Sequence, residues 1–94
     1  MRLRATVTEA SIENYTLRAV LTAGGRHIYT EAPLDTDLFV RFVTASGITR
    51  LTDTAQFIGV EMAVEFQEVA IKKTGFSICI ATDWYRCPPN SQSV

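Results

Sequence analysis

The chain has 94 residues, of which 47% are hydrophobic and 20% charged, and a formal charge of −1. It is too apolar for a disordered chain, and too short for more than one core. It is also too nearly neutral for a general phosphate-binding surface, whose affinity comes from Lys and Arg neutralising phosphates.

One domain is expected over residues 1–87, with a flexible tail over 88–94 made of Pro, Ser, Asn, Gln and Val. No apolar run approaches the roughly 18–20 residues of a membrane-spanning helix. Met1-Arg2-Leu3-Arg4-Ala5-Thr6 leads into no secretory stretch. No membrane association is expected, and the cytoplasm is the expected location. Cys79 and Cys87 stand eight positions apart, unlike a C-x-x-C redox or zinc pair, and read as reduced thiols.

The first third reads as a three-stranded meander. Thr6 to Ile12, Tyr15 to Thr22 and Arg26 to Ala32 are rich in Thr, Val, Ile and Tyr, with turn dipeptides at Glu13-Asn14 and Gly24-Gly25. Two-residue loops at both turns set Leu21 opposite Ile28, Ala19 opposite Thr30, and Arg18 between Glu9 and Glu31. Such a row is a surface charge ladder or, if it lines a concavity, an arginine held for an anionic ligand.

Pro33 ends the third strand, and Asp35 or Thr36 can cap a helix over about 36–46. Leu38, Phe42 and Ala45 recur at i, i+4 and i+7, with Phe39 and Val43 widening the stripe. Gly47 suits the position just past the helix end. The helix should cover the Tyr15, Leu17, Ala19, Leu21 face of the sheet. Ala5, Val7, Val20 and Tyr29 then form an opposite apolar face that one helix cannot cover, which points to a homodimer or a partner protein.

Ile48 to Ala55 lacks alternation and reads as a connector with a short helical turn. From Phe57 to Phe66 the alternation is complete, with Ile58, Val60, Met62, Val64 and Phe66 on one face. A helical template also fits, through Ala55, Ile58, Met62, Phe66 and Val69. The β-branched residues and the interior Gly59 favour a strand. Lys72 to Gly75 is then a turn, and Phe76 to Thr82 a last strand with Phe76, Ile78 and Ile80 inward. The expected fold is α+β: an antiparallel sheet of the N-terminal meander and two to three C-terminal strands, with the helix packed on one face.

No catalytic constellation can be read. His27 falls beside the Gly-Gly turn, the carboxylates are scattered, and no phosphate-cradling glycine motif occurs. No enzyme activity, metal or cofactor is expected. The candidate binding residues are Arg18, Val20 and Tyr29 on the sheet, and Trp84, Tyr85, Arg86, Lys72 and Lys73 near its end. The second group could stack and neutralise nucleic acid or a nucleotide. Trp84 could instead close one end of the core.

Phe39 to Val43, Gly47-Ile48, Leu51, Phe57 to Val64 and Asp83-Trp84-Tyr85 together resemble a class of small phage and prophage accessory proteins. In these a β-meander is followed by a helix ending in Gly-Val or Gly-Ile, a strand of alternating Val, and a last strand closing in Asp-Trp-aromatic. The resemblance covers about residues 36–86. The chain has Leu51 where that pattern has Trp, and Ala55-Gln56 where it has Gly. The resemblance implies a non-enzymatic, phage-encoded binding protein. The absence of site chemistry and the second apolar face lead to the first expectation: it binds a host or phage protein in the host cytoplasm, for instance to inhibit a defence complex or nuclease. Nucleic-acid or nucleotide binding is the alternative reading, and a small enzyme the third.

Overall fold

A computed structural model describes residues 2–87, and the tail expected over 88–94 lies outside them. The elements in chain order are β1 (Arg2–Glu13), β2 (Thr16–Ala23), β3 (Arg26–Pro33), α1 (Asp37–Ser46), a 3-10 turn (Thr54–Phe57), β4 (Glu61–Ile71) and β5 (Phe76–Arg86). No helix among the described residues is long and apolar enough to cross a membrane.

The meander forms, with one correction. Asn14 and Tyr15 take the positive φ angles of the first turn, so it falls one residue later than Glu13-Asn14. Arg18 therefore stands opposite Ser11, and Glu9 opposite Val20. The second turn is at Gly24-Gly25, and Leu21↔Ile28, Ala19↔Thr30 and Arg18↔Glu31 pair as the two-residue loop requires. The Glu9 arm of the charge row is lost, while Arg18 and Glu31 approach to 3.7 Å.

The expected open antiparallel sheet with a helix on one face is not what forms. The strands close into a barrel in the order β1-β2-β3-β5-β4, with β4 returning to β1. The sheet is mixed, because β3 and β5 run parallel through Ile28↔Cys79 and Tyr29↔Ile80. The physical cause is a pair of bulges, each of which adds a residue, bends its strand and inverts the alternation beyond it.

The first bulge lies between Val7 and Glu9. It turns Ala5 and Val7 into the interior, where they are fully buried. It also lets the first half of β1 pair with β4 while the second half stays with β2. The second lies between Glu65 and Phe66, opposite the step from Asp83 to Ala81. Trp84 points inward on β5. Unbroken alternation back from Trp84 would place Ile80, Ile78 and Phe76 inward too. The bulge instead puts Cys79 inside and leaves Phe76 72% exposed.

Strand β4 keeps Met62, Val64 and Phe66 inside, as the alternation predicts, but it begins at Glu61 rather than Phe57. Phe57 belongs to the 3-10 turn and is buried, Ile58 is exposed, and Gly59 takes a φ of 87° that ends the extended run. The turn is fixed by a capping box. The Asp53 carboxylate accepts from the Ala55 N–H at 3.0 Å, and the Gln56 side-chain oxygen accepts from the Asp53 N–H at 3.0 Å.

Helix α1 packs mainly on β5, with lesser contact to β3 and β4. Phe42 and Ala45 are its buried residues. Phe42 meets Phe57 edge-on at 5.0 Å and Trp84 at 5.6 Å between ring centroids. The helix ends at Gly47, whose φ of 76° is left-handed. Thr36 holds the N-cap position, but its hydroxyl donates to the Pro33 carbonyl at 2.7 Å rather than capping the helix.

A five-stranded Greek-key barrel with a helix between its third and fourth strands is the plan of the OB-fold. Barrels of that type hold ligands across strands 2 and 3, between the loops joining strands 1–2 and 4–5.

Candidate functional site

Strand alternation decides what the barrel shows to solvent on its β2–β3 side. Leu17, Ala19 and Leu21 of β2 and Ile28, Thr30 and Ala32 of β3 are buried. Arg18 and Val20, with Tyr29 and Glu31, therefore face outward. They form the floor of a concavity of about 760 Å³ that runs over β1, β2, β3 and β5. Ile58, Ile78 and Ile80 also line it, as do Glu9, Glu13 and Glu31.

The lining thus combines apolar side chains with three carboxylates. Among the described residues its only cation is Arg18, which is already paired with Glu31. Other arginines are likewise engaged by carboxylates: Arg2 by Glu65 at 3.5 Å, Arg4 by Glu61 at 4.0 Å and Arg41 by Asp83 at 3.8 Å. The arginine-rich composition is spent at least in part on ion pairs with half-exposed partners, which contribute little to stability each. No group of acidic, His or Cys side chains among the described residues could hold a metal ion.

The residues singled out from the sequence fall in three separate places. Arg18, Val20 and Tyr29 meet in the concavity. Lys72 and Lys73 lie in the exposed turn between β4 and β5. Trp84, Tyr85 and Arg86 share the end of β5 but form no stacking platform. Trp84 is 4% exposed, packs on Phe42, and donates from Nε1 to the Thr30 hydroxyl at 3.2 Å.

Tyr85 lies beside the β1–β4 seam under the Arg2 guanidinium, which is 3.9 Å from the ring centroid. Its hydroxyl donates to Glu65 at 2.9 Å, with Asp83 at 3.2 Å. The hydrogen bond to the Glu65 carboxylate raises its pKa above the ordinary value for tyrosine. The Arg86 guanidinium packs over Gly47, where a β-carbon would stand 3.3 Å from Nε. His27 is exposed beside the Gly24-Gly25 turn, with Nδ1 3.5 Å from the Thr22 hydroxyl.

Glu13, read as a turn residue, is a site residue that sequence reasoning missed, and so are Ile58, Ile78 and Ile80. The three isoleucines share one cause. Each was placed inside by an unbroken alternation. The bulge on the β4–β5 ladder reverses Ile78 and Ile80, and the 3-10 turn followed by Gly59 takes Ile58 out of the strand. Glu9 and Glu31 are legible as members of a charge row, although Glu9 stands opposite Val20, two pairs from the expected Arg18.

No family model matches the chain, and neither curated proteins nor solved structures give a match. The barrel plan alone does not carry a function, since one fold hosts many. Function is argued from the concavity.

Proposed function

We propose that the chain is a non-enzymatic binding module that acts by protein–protein contact through the concavity on β1, β2, β3 and β5. One observation carries this reading: Val20, Tyr29, Ile58, Ile78 and Ile80 line one concavity together with Glu9, Glu13 and Glu31. Exposed aromatic and aliphatic side chains in a concave patch are the usual composition of a protein-binding surface. The resemblance to phage accessory proteins adds a host or phage protein as the partner, and the cytoplasm as the place of action.

The competing reading is oligonucleotide binding, because OB-type barrels use the same face for it. The charge opposes this. Three carboxylates against one guanidinium repel phosphates, whereas nucleic-acid surfaces gain their affinity from uncompensated Lys and Arg. Trp84 is withdrawn into the core and supplies no base-stacking ring.

The test uses the immobilised chain beside a Val20→Arg/Tyr29→Glu double variant, both exposed to host lysate. The wild type is expected to retain proteins that the variant loses, with the two melting at similar temperatures. A single-stranded oligonucleotide should migrate unchanged with either chain at low salt. Retention of the same proteins by the variant would contradict the reading. So would an oligonucleotide shift that weakens steeply with salt.

A further inference from the structure

The outer half of the β4–β5 hairpin stands apart from the barrel. β1 pairs with β4 only over Glu61–Glu65, and β3 meets β5 only at Cys79 and Ile80. From Gln67 to Ile78 the two strands are held by their own ladder, through Val69↔Ile78, Ala70↔Ser77 and Ile71↔Phe76. Directly paired residues share a face, so Val69, Ile71, Phe76 and Ile78 form one apolar strip. Phe76 is exposed, and Val69 and Ile71 are each more than one-third exposed. A two-stranded ribbon with an uncovered apolar face is marginal in water and gains stability from a third layer.

That strip is continuous with the concavity, because Ile78 belongs to both and Ile80 follows it on β5. The charges at its two ends are opposite. Lys72 and Lys73 stand in the turn at the tip, and Glu9, Glu13 and Glu31 line the concavity at the other end, with Arg18 as the one cation among the described lining residues. The two lysines match the excess of two carboxylates. One surface therefore carries an apolar strip with a cationic end and an anionic end, and such a surface complements itself.

Resting on the reading of the concavity as a protein-binding face, we infer that the partner seated there is a second copy of this chain. The two hairpins lie face to face and point in opposite directions. Gly75 at the tip and Ile80 at the concavity are five residues apart, roughly 17 Å at the rise of a strand. A two-fold axis passing near Ile78 turns each Lys72-Lys73 tip toward the acidic side of the other copy's concavity, where Glu9 lies across β2 and β3 from Ile80. Such an interface is isologous and closes at two copies. The paired charges fix which way round the strips meet, and like ends brought together would repel.

Sedimentation velocity over a concentration series tests this with the full chain. The wild type should pass from monomer to dimer as concentration rises. Lys72→Glu/Lys73→Glu should weaken the dimer about tenfold or more, and Glu9→Lys/Glu13→Lys should do the same. Combining all four substitutions in one chain should restore the dimer to near the wild-type constant. Melting curves check that the variants fold, and Phe76→Ser, which alters no charge, should also weaken the dimer.

A wild type that stays monomeric at every concentration would overturn the inference. So would a dimer indifferent to both charge inversions, or one that the combined inversion fails to restore. A monomer whose captured proteins are still lost in Val20→Arg/Tyr29→Glu would leave the concavity a protein-binding face with a different occupant.

Discussion

Phe42→Ala is expected to lower the unfolding free energy by about 3–5 kcal/mol, the usual cost of truncating a fully buried phenylalanine. Phe42 is wholly buried on α1 and sits edge-on to both Phe57 and Trp84. It joins three separate pieces of the chain: the helix, the 3-10 turn and the last strand. Its removal leaves a cavity among two rings that cannot collapse without moving the backbone that carries them. A chain of this size has a total stability of order 5–15 kcal/mol, so the loss is a large share. The melting temperature should fall by roughly 12–40 °C, at about 4–8 °C per kcal/mol. Urea titration with an unchanged slope checks the figure. A loss under about 1 kcal/mol would mean that the helix is not docked as described.

Thr30→Val is expected to cost about 1–3 kcal/mol although it preserves volume. Thr30 is a buried polar residue at 3% exposure, and its hydroxyl accepts the Trp84 indole N–H at 3.2 Å. Valine keeps the packing and removes the acceptor, leaving a buried donor without a partner, and that desolvation is the cost. Trp84→Phe in the Thr30→Val background separates the two contributions. Once the N–H is gone, adding the Thr30 change should cost much less than it does alone. Equal costs in both backgrounds would place the stabilisation in packing and not in the hydrogen bond.

The local elements were legible because local chemistry determines them. Gly24-Gly25 set the β2–β3 register, Pro33 and Gly47 bracketed the helix, and Lys72 to Gly75 marked the last turn. The closure of the barrel was not legible, since it depends on single inserted residues on strands that otherwise alternate cleanly. The step at Val7/Glu9 carries Ala5 and Val7 from an apparent outer face to the core. The step opposite Asp83 and Ala81 does the reverse for Ile78 and Ile80. Neither step has a glycine or proline to announce it.

The second apolar face read from the sequence was therefore half barrel interior. Its remaining members, Val20 and Tyr29, do line the candidate site. Trp84, Tyr85 and Arg86 had the composition of a binding motif, but parity and burial separate them. Only the pleat of β5, fixed by Trp84 opposite Val64, shows which of the three points inward.

The isoleucine methyl spectrum, recorded for the free chain and for the chain in complex with a second copy or with another captured protein, tests the central claim most directly. Ile58, Ile78 and Ile80 line the concavity, Ile28 lies in the core, and Ile48 packs against the core. The methyl signals of Ile58, Ile78 and Ile80 should move on binding while those of Ile28 and Ile48 stay. Shifts confined to Ile48, with the three concavity signals unchanged, would contradict the claim.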